Sequence, residues 1–193
     1  MSLRDAFSNV AAVYDRRSEL GGHRPPLQLI VLALALALTG ISPARADVKV
    51  GDAFPALASA GLTGGTLPAT TGQIVLVDFW ASWCAPCKAS FPAYARIQSD
   101  YAARGLVVVA VSVDEKQKDY EAFVHKLAPT FATMLDQGHS LVSQVNVPVM
   151  PTSYLLGRDG RVRFLHAGFH GDSTDQELRR EIETLLSEKN SPP

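Results

Sequence analysis

Cys84 and Cys87 are the only two thiols in this 193-residue chain, and they stand three residues apart as Cys84-Ala85-Pro86-Cys87. The apolar run Ile74 to Trp80 leads into them, and a helical pattern follows. A Cys-x-x-Cys pair at a strand-to-helix junction can open and close one small disulfide ring, which is redox chemistry. The first thiol falls at the helix start. Unpaired backbone N–H groups and the helix dipole there favour thiolate over thiol. A thiolate attacks a disulfide sulfur and forms a mixed disulfide. Cys84 is therefore expected to be the nucleophile, and Cys87, one turn inside the helix, the thiol that resolves the mixed disulfide.

Other uses of the pair fit less well. A structural disulfide across two intervening residues closes too small a loop to stabilise much. A zinc site needs four ligands, and there is no second Cys-x-x-Cys. His125, His139, His166 and His170 lack ligand spacing and are read as element or loop residues. Neither a metal nor a cofactor is expected. Cys87 must lose a proton to attack, and Asp78, inside an otherwise apolar strand, is the candidate base, acting directly or through a water. Burial would raise its pKa toward the useful range. The alternative is a carboxylate at a strand edge, pointing to solvent.

These residues need a scaffold. Ile74–Trp80 reads as a strand buried on both faces. A helix is expected from Ala85 to Ala103, with Phe91, Tyr94, Gln98 and Tyr101 along one side and a kink at Pro92. Leu106 to Val113 is a second buried strand. Tyr120, Phe123, Val124 and Leu127 mark the inner face of an amphipathic helix. Thr130–Leu135 reads as a third strand and His139–Val145 as a short helix. Thr152–Leu156 and Arg161–His166 flank Asp159-Gly160, a hairpin signal. The last helix is expected to open on a capping box at Thr174-Asp175-Gln176-Glu177 and to bury Leu178, Ile182, Leu185 and Leu186. Gly51 to Gly72 reads as an N-terminal extension with a short strand or hairpin. Alternating strands and helices, then a hairpin and a helix, predict an α/β fold with a mixed sheet.

The chain before this domain has a different character. Residues 1–24 carry Arg4, Arg16, Arg17 and Arg24, Leu27 to Leu38 is apolar but for Gln28, and Ala44-Arg45-Ala46 is a small-x-small pattern. That order reads as a secretory signal peptide cleaved after Ala46, or else as a membrane anchor over residues 27–41. Arg16-Arg17 lacks the apolar residue that twin-arginine export would need just after it. Residues 47–193 hold 13 Lys+Arg and 16 Asp+Glu, a formal charge of −3. Without a basic stripe, nucleic acid is not an expected partner. An exported chain with a single cysteine pair suits an oxidising compartment, the bacterial periplasm.

The run Val77-Asp78-Phe79-Trp80-Ala81-Ser82-Trp83-Cys84-Ala85-Pro86-Cys87-Lys88 resembles the active-site run of the thioredoxin superfamily. Val149-Met150-Pro151-Thr152 is similar to that family's second signature, around a cis-proline. Gly51-Asp52-Ala53-Phe54-Pro55 and the helix-bearing insert after Val113-Asp114 resemble the exported TlpA/ResA-like branch. The resemblance spans residues 47–190. It implies a thioredoxin-like sandwich, a mixed sheet flanked by helices with an N-terminal extension and a helical insert. It also implies a cis Pro151 beside the cysteines, with the Met150 backbone free to pair with an extended substrate segment. Trp83 would offer a flat apolar docking surface, Pro86 would help set the helix start, and Lys88 would be solvated. Two positions depart from the branch pattern. Ser90 stands where the branch often carries glutamate, and Asp78 stands where thioredoxin has its buried acid.

The implied activity is an exported thiol:disulfide reductase, monomeric by family default. Its substrates would be protein disulfides, such as haem-site cysteines of apocytochrome c or copper-site cysteines of oxidase assembly proteins. Its electrons would come from a membrane thiol transporter. A disulfide-donating oxidant is the first alternative, although Ala85-Pro86 lacks the histidine that strong oxidants often carry between the cysteines. A copper-binding or copper-delivery module using the same two thiols is the second. A peroxidase of the peroxiredoxin type ranks last, because Ser82-Trp83 occupies the slot of its threonine.

Overall fold

The structure, a computed structural model, describes residues 47–188. The expected signal peptide or anchor lies outside the described residues. No helix among the described residues is long and apolar enough to cross a membrane.

Strand β1 (Ile74–Trp80) is buried along its whole length, as its unbroken apolar sequence requires. The chain then forms helix α1 (Ala85–Tyr101), strand β2 (Leu106–Ser112), helix α2 (Gln117–Leu127) and strand β3 (Ala132–Leu135). Helix α3 (Ser140–Val145), strands β4 (Thr152–Leu156) and β5 (Val162–Ala167), and helix α4 (Asp172–Ser187) complete it. The sheet order is β3-β2-β1-β4-β5, with β1 in the centre. β1 pairs in parallel with β2, and β2 with β3. β4 runs antiparallel to both β1 and β5. This is the expected mixed sheet, with the β4–β5 hairpin supplying its antiparallel strands.

Period-two alternation divides the core into two layers. Ile74, Leu76 and Trp80 face a layer filled by α1, α2 and α4, with Phe91, Tyr94, Phe123, Leu178 and Ile182 among its members. Val75, Val77 and Phe79 face the other layer, with Leu141 and Val145 of α3 and Phe54 and Leu57 of the extension. At about 25 cal/mol per Å2 of apolar area, full burial of a side chain such as Ile97 or Leu155 contributes roughly 2 kcal/mol.

Four local expectations differ from the structure. Gly51–Gly72 forms no strand or hairpin of its own. It is a strap with one 3-10 turn at Leu57–Ser59, and it touches the sheet through single bridges, Ala53 to Arg161 and Thr63 to Leu135. The second bridge caps the β3 edge, where an open row of N–H and C=O groups would otherwise invite pairing. The approach is close: a Cβ on Gly65 would stand 2.3 Å from the Thr133 carbonyl oxygen. α4 begins two residues before the expected capping box, after Gly171. Thr174 accepts the His170 N–H instead, and Glu177 faces His166 across 3.8 Å. Leu127, expected on the inner face of α2, is 38% exposed at the last turn before Ala128 adopts a left-handed conformation. α1 ends at Tyr101, short of the expected Ala103, and passes into a 3-10 turn over Ala102–Arg104, with Pro92 inside the helix.

Candidate active site

β1 delivers the chain to one end of the sheet, and α1 starts there. Cys84 is the N-cap residue of α1, with extended backbone at φ −84° and ψ 109°, and Pro86 lies in the first turn. A proline costs nothing at that position, because its N–H would have no intrahelical acceptor. Cys84 and Cys87 are joined as a disulfide with an S–S distance of 2.07 Å and a Cα–Cα distance of 5.3 Å. The Cys87 N–H donates to Cys84 Sγ at 3.2 Å. A thiolate formed at Cys84 would inherit that donor and the positive end of the helix dipole, both of which favour the charged form. Cys84 is 5% exposed and Cys87 is fully buried. Of the two cysteines, Cys84 is the one solvent can reach, as the role of nucleophile requires.

The approach to the pair is anchored from β2. The Asp114 carboxylate accepts the Ser82 N–H through both oxygens at 3.1 Å and the Ser82 and Ser112 hydroxyls at 2.8 Å each. Asp114 is buried, and its three contacts with Ser82 tie the residues before Cys84 to the end of the neighbouring strand, where Ser112 holds the same carboxylate. Sequence reading noted Asp114 only as the start of the insert. The available signal is an acid two residues past the apolar run of β2, at the end of the sheet where β1 enters the cysteine motif.

Asp78 is fully buried, so the solvent-edge alternative does not hold. Alternation puts it on the α1 side of the sheet, in the layer that contains Cys87. Tyr94 Oη of α1 donates to Asp78 Oδ1 at 3.0 Å, and Ser153 Oγ donates to the same oxygen at 2.7 Å. Ser153 is the register partner of Asp78 across β4. The two hydroxyl oxygens are themselves 2.8 Å apart. Three oxygens thus form a triangle with three close contacts, while two hydroxyls supply only two hydrogens. A proton on Asp78 Oδ1 would complete the ring. Asp78 Oδ2 has no partner, and no cation is paired with this acid among the described residues. Burial pushes the Asp78 pKa from 3.8 to about 7, against the lowering effect of the Ser153 and Tyr94 hydroxyls. Burial, and then the Asp78 charge, push the Tyr94 hydroxyl well above its usual value, so it remains a donor. The sequence places Tyr94 on the helix face but gives no sign of this contact, and it does not mark Ser153. The strand register would have found Ser153.

The Met150–Pro151 peptide bond is cis, as the resemblance implied. Pro151 precedes β4, and β4 is antiparallel to β1, so this turn lies at the sheet end where the cysteine loop begins. The Pro151 carbonyl accepts the Gly168 N–H at 2.7 Å, which fixes the turn from the β5 side. Met150 packs against the core, and neither its N–H nor its C=O takes part in the backbone hydrogen bonds of the described residues. Trp83 is 71% exposed beside the disulfide. Trp80 is buried instead, packed on Phe91 and Phe123 with ring centroids at 5.2 and 4.4 Å. Ser90 donates to the Cys87 carbonyl at 2.9 Å, a contact within its own helix. Pro86 and Lys88 are exposed on the first turn of α1. Among the described residues, no cluster of three or more His, Cys, Asp or Glu could hold a metal ion.

The profile of the Redoxin family matches residues 49–182. The chain is 26% identical to a thiol-disulfide oxidoreductase ResA of Geobacillus kaustophilus over 162 residues, covering 81% of this chain and 91% of that one. It is 29% identical to the thioredoxin-like protein YneN of Bacillus subtilis, covering 80% and 94%. A crystal structure from Chlorobium tepidum, assigned as a thiol:disulfide interchange protein DsbE, superposes with a TM-score of 0.67 at 33% identity. That superposition covers 73% of this chain and all of the other.

Proposed function

Because the chain belongs to the Redoxin family and is a thioredoxin-like thiol:disulfide oxidoreductase, we propose that it works as an exported reductase of protein disulfides. The observation that carries this reading is the Cys84–Cys87 disulfide at the N-terminus of α1, with a buried acid of pKa about 7 facing the same layer of the core.

The reaction runs in two steps. Cys84 thiolate attacks one sulfur of a substrate disulfide, and the other substrate sulfur leaves as a thiolate. Asp78 then takes the Cys87 proton, directly or through a water, and Cys87 sulfur attacks Cys84 sulfur. The mixed disulfide breaks, and the second substrate sulfur leaves and is protonated. Two electrons pass from the Cys84–Cys87 pair to the substrate, and the pair ends as a disulfide. An acid with a pKa of about 7 is divided between base and acid at neutral pH, which suits a group that must accept and then return a proton. Met150 and Pro151 would hold an extended substrate segment by backbone pairing, with Trp83 and Pro86 as its apolar seat.

The Arg-bearing residues before Leu27, the apolar run and Ala44-Arg45-Ala46 support export, with cleavage after Ala46 or anchoring by residues 27–41. In the periplasm the pair would need a reductant, and a membrane thiol transporter fits. The resemblance to the TlpA/ResA-like branch points to cysteines of apocytochrome c or of copper sites as substrates.

Two measurements test this. Cys84→Ser should abolish reduction of insulin disulfides, and Cys87→Ser should accumulate mixed disulfides; turnover surviving in Cys84→Ser would refute the mechanism. A reduction potential near that of thioredoxin, about −270 mV, fits a reductase, whereas one near about −120 mV would make the protein a disulfide donor.

A further inference from the structure

A shallow groove of about 270 Å3 opens beside the cysteine loop, between the first turn of α1 and the insert helix α2. Its volume is below the usual range for small-molecule sites and suits one or two side chains. Phe123 and Leu127 supply its apolar lining, and Ser82 also lines it. Ser82 precedes Cys84 by two residues, a chain reach of about 7 Å. Lys88 and Lys126 stand on its rim, and neither ammonium has a salt-bridge partner among the described residues. Asp119 is the one acidic residue lining it, so the lining is net positive on a domain whose formal charge is −3. Exposed large apolar side chains are few among the described residues, and two of them, Trp83 and Leu127, lie next to or in this groove.

We propose that this groove is a substrate-docking surface that selects protein segments carrying an apolar side chain and an adjacent Asp or Glu two to four residues from the target cysteine. The proposal rests on the reductase reading for its chemistry. Apolar burial would supply the anchor, and the two lysines would set orientation and encounter rate, since a charge at the rim acts mainly on association and salt dependence. Selection would lie in the insert helix, away from the cis-proline turn.

The test uses the full chain, two cystine peptides that differ only in a Leu-Glu-Glu or Leu-Lys-Lys flank, and hydroxyethyl disulfide as a small neutral substrate. Lys126→Glu and Ala122→Tyr are both on an exposed helix face, one reversing the rim charge and the other filling the groove. Wild type should prefer the acidic peptide in kcat/KM by about ten-fold at low salt, and less as salt rises. Lys126→Glu should erase or invert that preference, and Ala122→Tyr should slow both peptides, with hydroxyethyl disulfide reduced at the wild-type rate throughout. Equal use of both peptides by wild type, or a preference unchanged in Lys126→Glu, overturns the docking proposal while leaving the reductase intact. A serine-for-cysteine version of the acidic peptide gives a readout free of turnover: NMR shifts should concentrate at Ala122, Phe123 and Lys126. Such shifts without reduction of hydroxyethyl disulfide would uphold the groove and sink the reductase reading; their absence would overturn the groove.

Discussion

Two buried carboxylates flank the redox pair, and the fold treats them differently. Asp114, just beyond β2, uses both oxygens and accepts from one N–H and two hydroxyls. Asp78, inside β1, receives two hydroxyls on one oxygen and leaves the other without a partner. Each acid lies in a protein interior where a lone charge is expensive. The first braces the loop before Cys84 through its contacts with Ser82. The second is under-satisfied, with a pKa driven up to about 7 by burial, and so can change protonation state where the chemistry runs. Burial alone therefore does not make an acid functional. What separates the two is how many donors the surrounding strands and loops supply.

The largest effect that would sharpen this contrast is on stability against pH. The Asp78 pKa is raised from 3.8 to about 7 on folding, so below about pH 4 the acid is protonated in both states and imposes no penalty. Between about pH 4 and pH 7 the unfolded chain releases that proton before the folded one does, and folding stability falls. The full difference approaches about 4 kcal/mol above pH 7. Chemical denaturation of the oxidised protein should show this fall, and Asp78→Asn should flatten it and be the more stable protein at pH 8. An unchanged pH profile in Asp78→Asn would remove the distinction between the two acids.

Asp114→Ala should act in the opposite sense. It strands one N–H and two hydroxyls near the cysteine loop, at a cost of roughly 3 kcal/mol. Urea denaturation measures this directly, and Asp114→Asn, which keeps one acceptor oxygen, should recover part of it. A stabilised Asp114→Ala protein would contradict the bracing role.

The smallest effect is expected from Tyr94→Phe. It removes one of the two hydroxyls that lower the Asp78 pKa, so that pKa should move higher. Stability should fall by about 1 kcal/mol for the lost buried hydrogen bond. Infrared titration of the carboxylic acid band follows the first change, and a downward shift would show that the Tyr94 contact has been misread.

The sequence carried the parts of this site that depend on local spacing. The Cys-x-x-Cys pair, the continuous apolar β1, and the order of strands and helices each follow from residue type and periodicity within a short window. Asp78 stands out because it is one acid among six apolar strand residues. Ser153 and Tyr94 do not, because their meeting with Asp78 depends on β4 register and on the angle of α1 over the sheet. The extension departs from its expected strand or hairpin for a similar reason. Its glycines suggested turns between strands, but here they let the chain press against the β3 edge at Gly65, where no side chain would fit. The capping box at Thr174 matched a local pattern, yet the β5–α4 connection started the helix at Asp172 instead.

The most direct test of the contrast is single-turnover resolution of a pre-formed mixed disulfide on Cys84, followed against pH in wild type, Asp78→Asn and Asp114→Asn. The account predicts a wild-type rate that rises with ionisation of a group near pH 7, a loss of about 100-fold and of that ionisation in Asp78→Asn, and a retained profile in Asp114→Asn. An Asp78→Asn protein that resolves the mixed disulfide at the wild-type rate and with the wild-type profile would contradict it.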